Sequence, residues 1–173
     1  AFEDLSRGGY GPVAVAGASA GGGLALATLT AVRDRSMGPE PAAAWLISPW
    51  ADLTQTGASH DTRAEVDPML SRETLADVAG HYLAGHDPTD PMASPLLADL
   101  SGLPPIRVDV GDAEVLLDDA VGIGDRVTAA GGEVETVVWP EMIHVFPAFP
   151  VELVPESDEC ITAAAAFLAE HLG

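Results

Sequence analysis

A serine with a glycine two positions away on either side, Gly17-Ala18-Ser19-Ala20-Gly21, is the segment of this chain best suited to covalent chemistry. Glycines at those positions remove side chains that would clash on a tight turn, so the Ser19 hydroxyl can stand clear of the backbone. The residue after the serine then sets its backbone N–H at a helix start, which makes Ala20 the candidate donor to an oxyanion. A serine hydroxyl is a poor nucleophile at neutral pH without a base, and the base needs an acid to orient it. On a strand–turn–helix scaffold the order along the chain is serine, acid, histidine, with the last two on loops after later strands. His144 has that position, in Trp139-Pro140-Glu141-Met142-Ile143-His144-Val145-Phe146. His60, His81, His86 and His171 do not; they read as surface or packing histidines, and their spacing suggests no metal site. For the acid, position admits Asp112, Glu114 and Asp118. Asp118, like Asp119, is explained as a favourable charge in a first helical turn, and spacing does not decide between Asp112 and Glu114.

Such residues need a scaffold, and the apolar patterning outlines one. Gly11-Pro12 leads into a short apolar strand over Val13–Ala16. A helix is predicted over about Leu24–Val32, interior because it is apolar nearly all round, and stopped by Gly38-Pro39. Further strands are predicted over Ala42–Ile47, ended by Ser48-Pro49, over Ile106–Val110 and over Val134–Trp139. Helices are predicted over about Leu116–Ala130, weakened by Gly122 and Gly124, and over about Ser157–Leu172. Residues 52–95 are more polar, with one helix from its N-cap Ser71 to about Leu83, and read as a cap-like insertion above the sheet. The alternation predicts a single α/β domain over residues 1–173, with a mostly parallel sheet and helices on both faces.

Composition narrows the function classes. The 173 residues include 27 acidic and 7 basic ones, for a formal net charge of −20, and every basic residue is Arg. Without Lys there is no Walker-type phosphate loop, and the charge argues against nucleic-acid binding, since a phosphate backbone would be repelled. The acidity fits either a surface adapted to high salt or an ordinary acidic cytoplasmic protein with GC-rich coding. The lone Cys160 cannot form an intramolecular disulfide, so an oxidising compartment gains no support. Val13–Val32 carries no charge and has the length of a membrane span, yet its clustered glycines fit a strand, a sharp turn and a buried helix better. The chain opens with Ala1-Phe2-Glu3, without an initiating Met or a signal-peptide pattern.

Three segments together resemble the hormone-sensitive-lipase-like esterases of the α/β-hydrolase fold: Gly17–Gly23, Gly111–Asp119 and Met142–Phe146. Within that family, Ser48–Thr54 and Asp67–Leu70 are similar to bacterial esterases and monoterpene ε-lactone hydrolases. The likeness covers nearly the whole chain. It implies hydrolysis of carboxylic esters or lactones of short to medium acyl chain by a serine nucleophile, with no cofactor or metal. It also selects Glu114 as the acid, because in such sequences the acid sits just before the Val-Leu or Pro-Leu pair. Two departures stand out. Ala18 occupies a position where the family often has Asp, and Ser6–Tyr10 does not match the family's upstream His-Gly-Gly-Gly loop. The strands that precede the elbow strand in the family have no counterpart here, so the chain is expected to be the C-terminal part of a larger enzyme. Its first strand would then be an open edge, to be covered by a missing N-terminal segment or a second copy. A catalytically impaired remnant and an interaction module built on that edge are the alternatives. Met69, Leu70, Tyr82 and Leu83, with Met92, are candidates to line an acyl pocket and equally candidates for core packing.

Overall fold

The computed structural model describes residue 8 and residues 11–36 and 40–173, so most of Ser6–Tyr10, and Gly38 and Pro39, lie outside the described residues. Strands β1 (Ala14–Ala18), β2 (Ala43–Ile47), β3 (Ile106–Gly111) and β4 (Val134–Trp139) lie side by side in that order, all parallel. Parallel neighbours need long crossovers. Helix α1 (Ala20–Arg35) connects β1 to β2, and α4 (Leu117–Ala129) connects β3 to β4. Between β2 and β3 run α2 (Ser59–Thr62), α3 (Arg72–Leu83) and a 3-10 turn at Pro95–Leu97, and α5 (Glu156–Leu172) closes the chain.

The period-two alternation of strands sorts side chains to two faces. On one face Ile106, Val108 and Val110 join Ala44 and Leu46, and there α1 brings Leu26 and Leu29 while α4 brings Ala120, Ile123 and Val127. Each fully buried Leu, Ile or Val there stabilises the fold by roughly 1.5–3 kcal/mol. On the other face Trp45, Val137 and Trp139 pack with Phe146 and with Cys160 of α5. That face also holds a buried ion pair. Arg107 donates to both oxygens of Asp109 at 2.7 and 2.8 Å, and the indole N–H groups of Trp45 and Trp139 donate to the same carboxylate at 2.9 and 2.8 Å. Buried charges are tolerable when every oxygen is so occupied.

Two expectations need correction. Helix α1 starts at Ala20, not near Leu24, because Gly21, Gly22 and Gly23 are helical residues rather than a loop. It is also not interior on every side, since Leu24 is 66% exposed. Helix α3 starts as predicted, with the Ser71 hydroxyl accepting the Thr74 N–H at 3.2 Å. Leu75 and Ala79 of α3 pack on Trp50, Val115 and Leu116, with Leu70 and Leu83 at the margin. No helix of the described residues is long and apolar enough to cross a membrane. The uncharged run Val13–Val32 is divided between β1 and α1.

Candidate active site

Strand β1 ends immediately before Ser19 and α1 begins immediately after it, so the chain reverses on one residue. Ser19 has φ 55° and ψ −124°, a conformation that non-glycine residues seldom adopt and that persists only when neighbours hold it. Here its N–H donates to Ile47 O and its carbonyl accepts the Trp50 N–H, both at 2.9 Å. The glycines make the close approach possible. A Cβ on Gly17 would lie 2.0 Å from Gly21 O, and one on Gly23 would lie 2.1 Å from Trp50 O.

Ser19 Oγ lies 2.9 Å from Nε2 of His144, and Nδ1 of His144 lies 2.7 Å from Oε2 of Glu114. Glu114 is fully buried and His144 nearly so. The other carboxylate oxygen, Oε1, accepts the Gly111 N–H at 2.6 Å and the Ser48 hydroxyl at 2.7 Å. With Oε1 occupied by donors, Oε2 is left for the imidazole. A carboxylate can only accept from Nδ1–H, which leaves the Nε2 lone pair facing Ser19. His144 lies on a loop whose Glu141 and Val145 have φ of 61° and 52°. That loop is pinned by Val145 N–H donating to Ser48 Oγ at 3.0 Å.

Of the carboxylates that position admits, Glu114 contacts His144. Asp112 accepts the Glu141 N–H at 2.7 Å and does not bond His144. Asp118 accepts the Ser59 N–H at 2.9 Å, and Asp119 accepts the N–H groups of Ala51 and Asp52 at 2.8 and 2.9 Å. These two occupy a first helical turn as expected, yet they also tie α4 to the segment after β2. Burial pushes the Asp119 carboxyl up to about 7, against the two backbone donors that favour its charge. Burial works on Asp52 in the same direction, but hydrogen bonds from Thr54 and Thr56 outweigh it and hold that carboxyl below its ordinary value. Sequence alone does not single out Asp67 for the site, although it bonds the residue after Glu114: its Oδ2 accepts the Val115 N–H at 2.9 Å. Ser48 reads in sequence as a strand stop and as the start of the family-like segment Ser48–Thr54, with no role assigned to it at the site. The signal that could draw attention to it is a small polar residue placed directly after a buried strand.

His60 is buried, and burial, then the positive charge of Arg72, hold its pKa below the ordinary value. His81 and His86 sit beside Asp77 and Asp90, and His171 stacks edge-on against Phe167. Ala20 is the first residue of α1, where backbone N–H groups have no acceptor within the helix. Beside it opens an apolar cavity of about 270 Å³, lined among others by Ala20, Gly21, Leu24, Trp50, Leu53, Val78, Tyr82 and Met92. Of the apolar residues predicted for a pocket, Tyr82 and Met92 line this cavity, and Leu83 joins them around a second one. Met69 and Leu70 do not line the first cavity. Asp67 Oδ1 caps their N–H groups at 2.8 and 2.9 Å, which turns Met69 to solvent and Leu70 onto the Trp50 cluster.

A parallel α/β sheet that carries a serine on a strand–helix elbow, joined to a buried histidine–carboxylate pair, defines the class of α/β hydrolases. The chain belongs to that family: residues 4–148 match the profile described as alpha/beta hydrolase fold. It is 48% identical over 164 residues to an acetyl-hydrolase of Streptomyces hygroscopicus, covering 94% of this chain and 54% of that protein. An esterase of Acinetobacter venetianus is 35% identical over 158 residues, covering 90% of this chain and 51% of the relative. Among solved structures, an esterase from the bacterial hormone-sensitive lipase family superposes with a TM-score of 0.95 at 42% identity. That match covers 99% of this chain and 58% of the other. The resemblance to hormone-sensitive-lipase-like esterases read from the motifs is therefore borne out. The chain spans about half the length of the curated relatives it matches.

Proposed function

We propose that this chain carries the reacting groups of a carboxylic ester hydrolase, with Ser19 as nucleophile, His144 as general base and acid, and Glu114 as the acid that orients the imidazole. The single observation that supports this most is the continuous hydrogen-bonded line from Ser19 Oγ through His144 to the buried Glu114, at 2.9 and 2.7 Å. As Ser19 Oγ bonds to the substrate carbonyl carbon, its proton passes to Nε2 of His144, and Glu114 stabilises the imidazolium. The carbonyl π electrons move onto oxygen, where the Ala20 N–H donates a hydrogen bond. Collapse of the tetrahedral species breaks the bond to the leaving alkoxide, which takes the proton from Nε2. Water then attacks the acyl-serine, again losing its proton to His144, and the acid product leaves as Ser19 Oγ is reprotonated.

The apolar cavity beside Ala20 suits the hydrocarbon part of an ester or lactone of short to medium acyl chain. In this reading residues 52–95 act as a cap, since Val78, Tyr82 and Met92 come from that segment. The test is hydrolysis of a short-chain chromogenic ester by the protein and by Ser19→Ala. Loss of a nucleophilic serine costs up to about 10⁶-fold in turnover in well-studied serine hydrolases. Equal rates in the two proteins would overturn the proposal.

A further inference from the structure

Ser48 follows β2 directly and is fully buried. Its φ of 44° is a left-handed value that non-glycine residues seldom hold. The backbone there is fixed by the Ser48 N–H donating to Asp109 O at 2.8 Å, which extends the β2–β3 ladder by one residue. That placement sends the side chain between two loops that are far apart in sequence. The hydroxyl lies 2.7 Å from Glu114 Oε1 and 3.0 Å from the Val145 N–H. Because the amide can only donate, the hydroxyl accepts from Val145 and its single proton goes to the carboxylate.

We infer that Ser48 is a positioning residue: its hydroxyl holds the Glu114 carboxylate turned toward Nδ1 of His144, while fixing the backbone next to that histidine. The catalytic consequence rests on the ester-hydrolase reading above; the physical link to the Glu114–His144 pair does not. Other carboxylates near the pair are engaged elsewhere. Asp112 binds the Glu141 N–H, Asp67 the Val115 N–H, and Asp109 the Arg107 guanidinium and two indoles. Ser48 and the Gly111 N–H are thus the donors that meet Oε1.

Removing the hydroxyl strips one of those two donors from a buried negative charge. The pair then binds a proton more readily, so its protonation midpoint rises. A hydrogen bond to a charged group is strong enough to move the midpoint by about one pH unit. The Val145 N–H also loses its acceptor, which loosens the loop that carries His144.

The experiment compares the protein with Ser48→Ala and Ser48→Gly, following the His144 imidazole by ¹⁵N NMR across pH and measuring kcat and KM on a short-chain ester, with Ser19→Ala as blank. Ser48→Gly is the decisive variant. Glycine accepts the positive φ, so it deletes the hydroxyl without adding backbone strain. In both variants the His144 midpoint is expected to rise by about one pH unit. For the ester, kcat is expected to fall about tenfold with KM nearly unchanged. A folded Ser48→Gly protein whose midpoint stays within a few tenths of a pH unit overturns the inference. A raised midpoint in a protein without Ser19-dependent hydrolysis supports the Ser48 link and refutes the ester-hydrolase reading alone.

Discussion

Replacing Gly111 by Ala tests whether the acid and base loops must meet at this distance. Gly111 ends β3, and its N–H is one of the donors to Glu114 Oε1. A Cβ there would sit 2.0 Å from Met142 O, 2.5 Å from Met142 C and 3.1 Å from Glu114 Oε1. The atom in the way is a backbone carbonyl, not the end of a flexible side chain. To restore ordinary contact at 3.4 Å, the Met142 peptide has to retreat by ~1.4 Å. Met142 is two residues before His144, so the retreat opens the 2.7 Å bond between His144 and Glu114. A misplacement of about 1 Å at reacting groups costs about 10²-fold, and overpacking of this kind destabilises by about 1–3 kcal/mol. The expected outcome is a kcat/KM on a short-chain ester lower by about 10²-fold or more, in protein that still unfolds cooperatively at a lower temperature. Gly80→Ala is the control. Gly80 lies within α3, and a Cβ there would meet nothing within 4 Å, so the change should stabilise by up to about 1 kcal/mol and leave kcat/KM alone. A folded Gly111→Ala protein with kcat/KM within threefold of the parent would refute the reasoning.

Asp119 makes stability depend on pH near neutrality. Its folded pKa of about 7 lies above the ordinary 3.8, so its contribution is complete below 3.8 and is lost as pH rises through 7. Within that window the loss is at most about 1.4 kcal/mol per pH unit, and Asp119→Asn should flatten it. A slope that survives the substitution in urea unfolding would exclude Asp119 as its source. Asp52 has the opposite sign: its pKa is lowered, so its stabilising contribution exists above the ordinary value and disappears as pH falls through the lowered one. Asp52→Ala should therefore reduce stability at neutral pH and shrink the loss on acidification; acid unfolding curves of unchanged shape would contradict this. Cys160 is buried, and burial, followed by the nearby Asp109 carboxylate, pushes its thiol up to about 12. A thiol reagent at mildly alkaline pH should label it only after unfolding, and rapid labelling of the native protein would count against the packing of α5.

The elements and the elbow are legible in the sequence because they are local. Short apolar runs bounded by Gly, Pro and polar residues encode strands, and the Gly17-Ala18-Ser19-Ala20-Gly21 spacing encodes a turn too tight for larger side chains. Chain order singles out His144 as the candidate base. Spacing alone leaves Asp112 and Glu114 equal, and the family resemblance, not periodicity, favours Glu114. In the structure Asp112 accepts the Glu141 N–H, whereas Glu114 contacts Nδ1 of His144. Gly22 and Gly23 look like loop residues in sequence because their reason for being glycine lies elsewhere in the chain. Their missing side chains admit Pro49 and the Trp50 carbonyl, which only the pairing of β1 with β2 brings near. Ser48 meets partners 66 and 97 residues away, and Asp67 meets one 48 residues away. No local pattern records such pairs, because they exist only once the parallel register has set the strand ends side by side. Which apolar residues face the cavity is decided in the same way. The orientation of α3 over Trp50 turns Val78 and Tyr82 toward it, whereas Leu75 and Ala79 of the same helix go to the core.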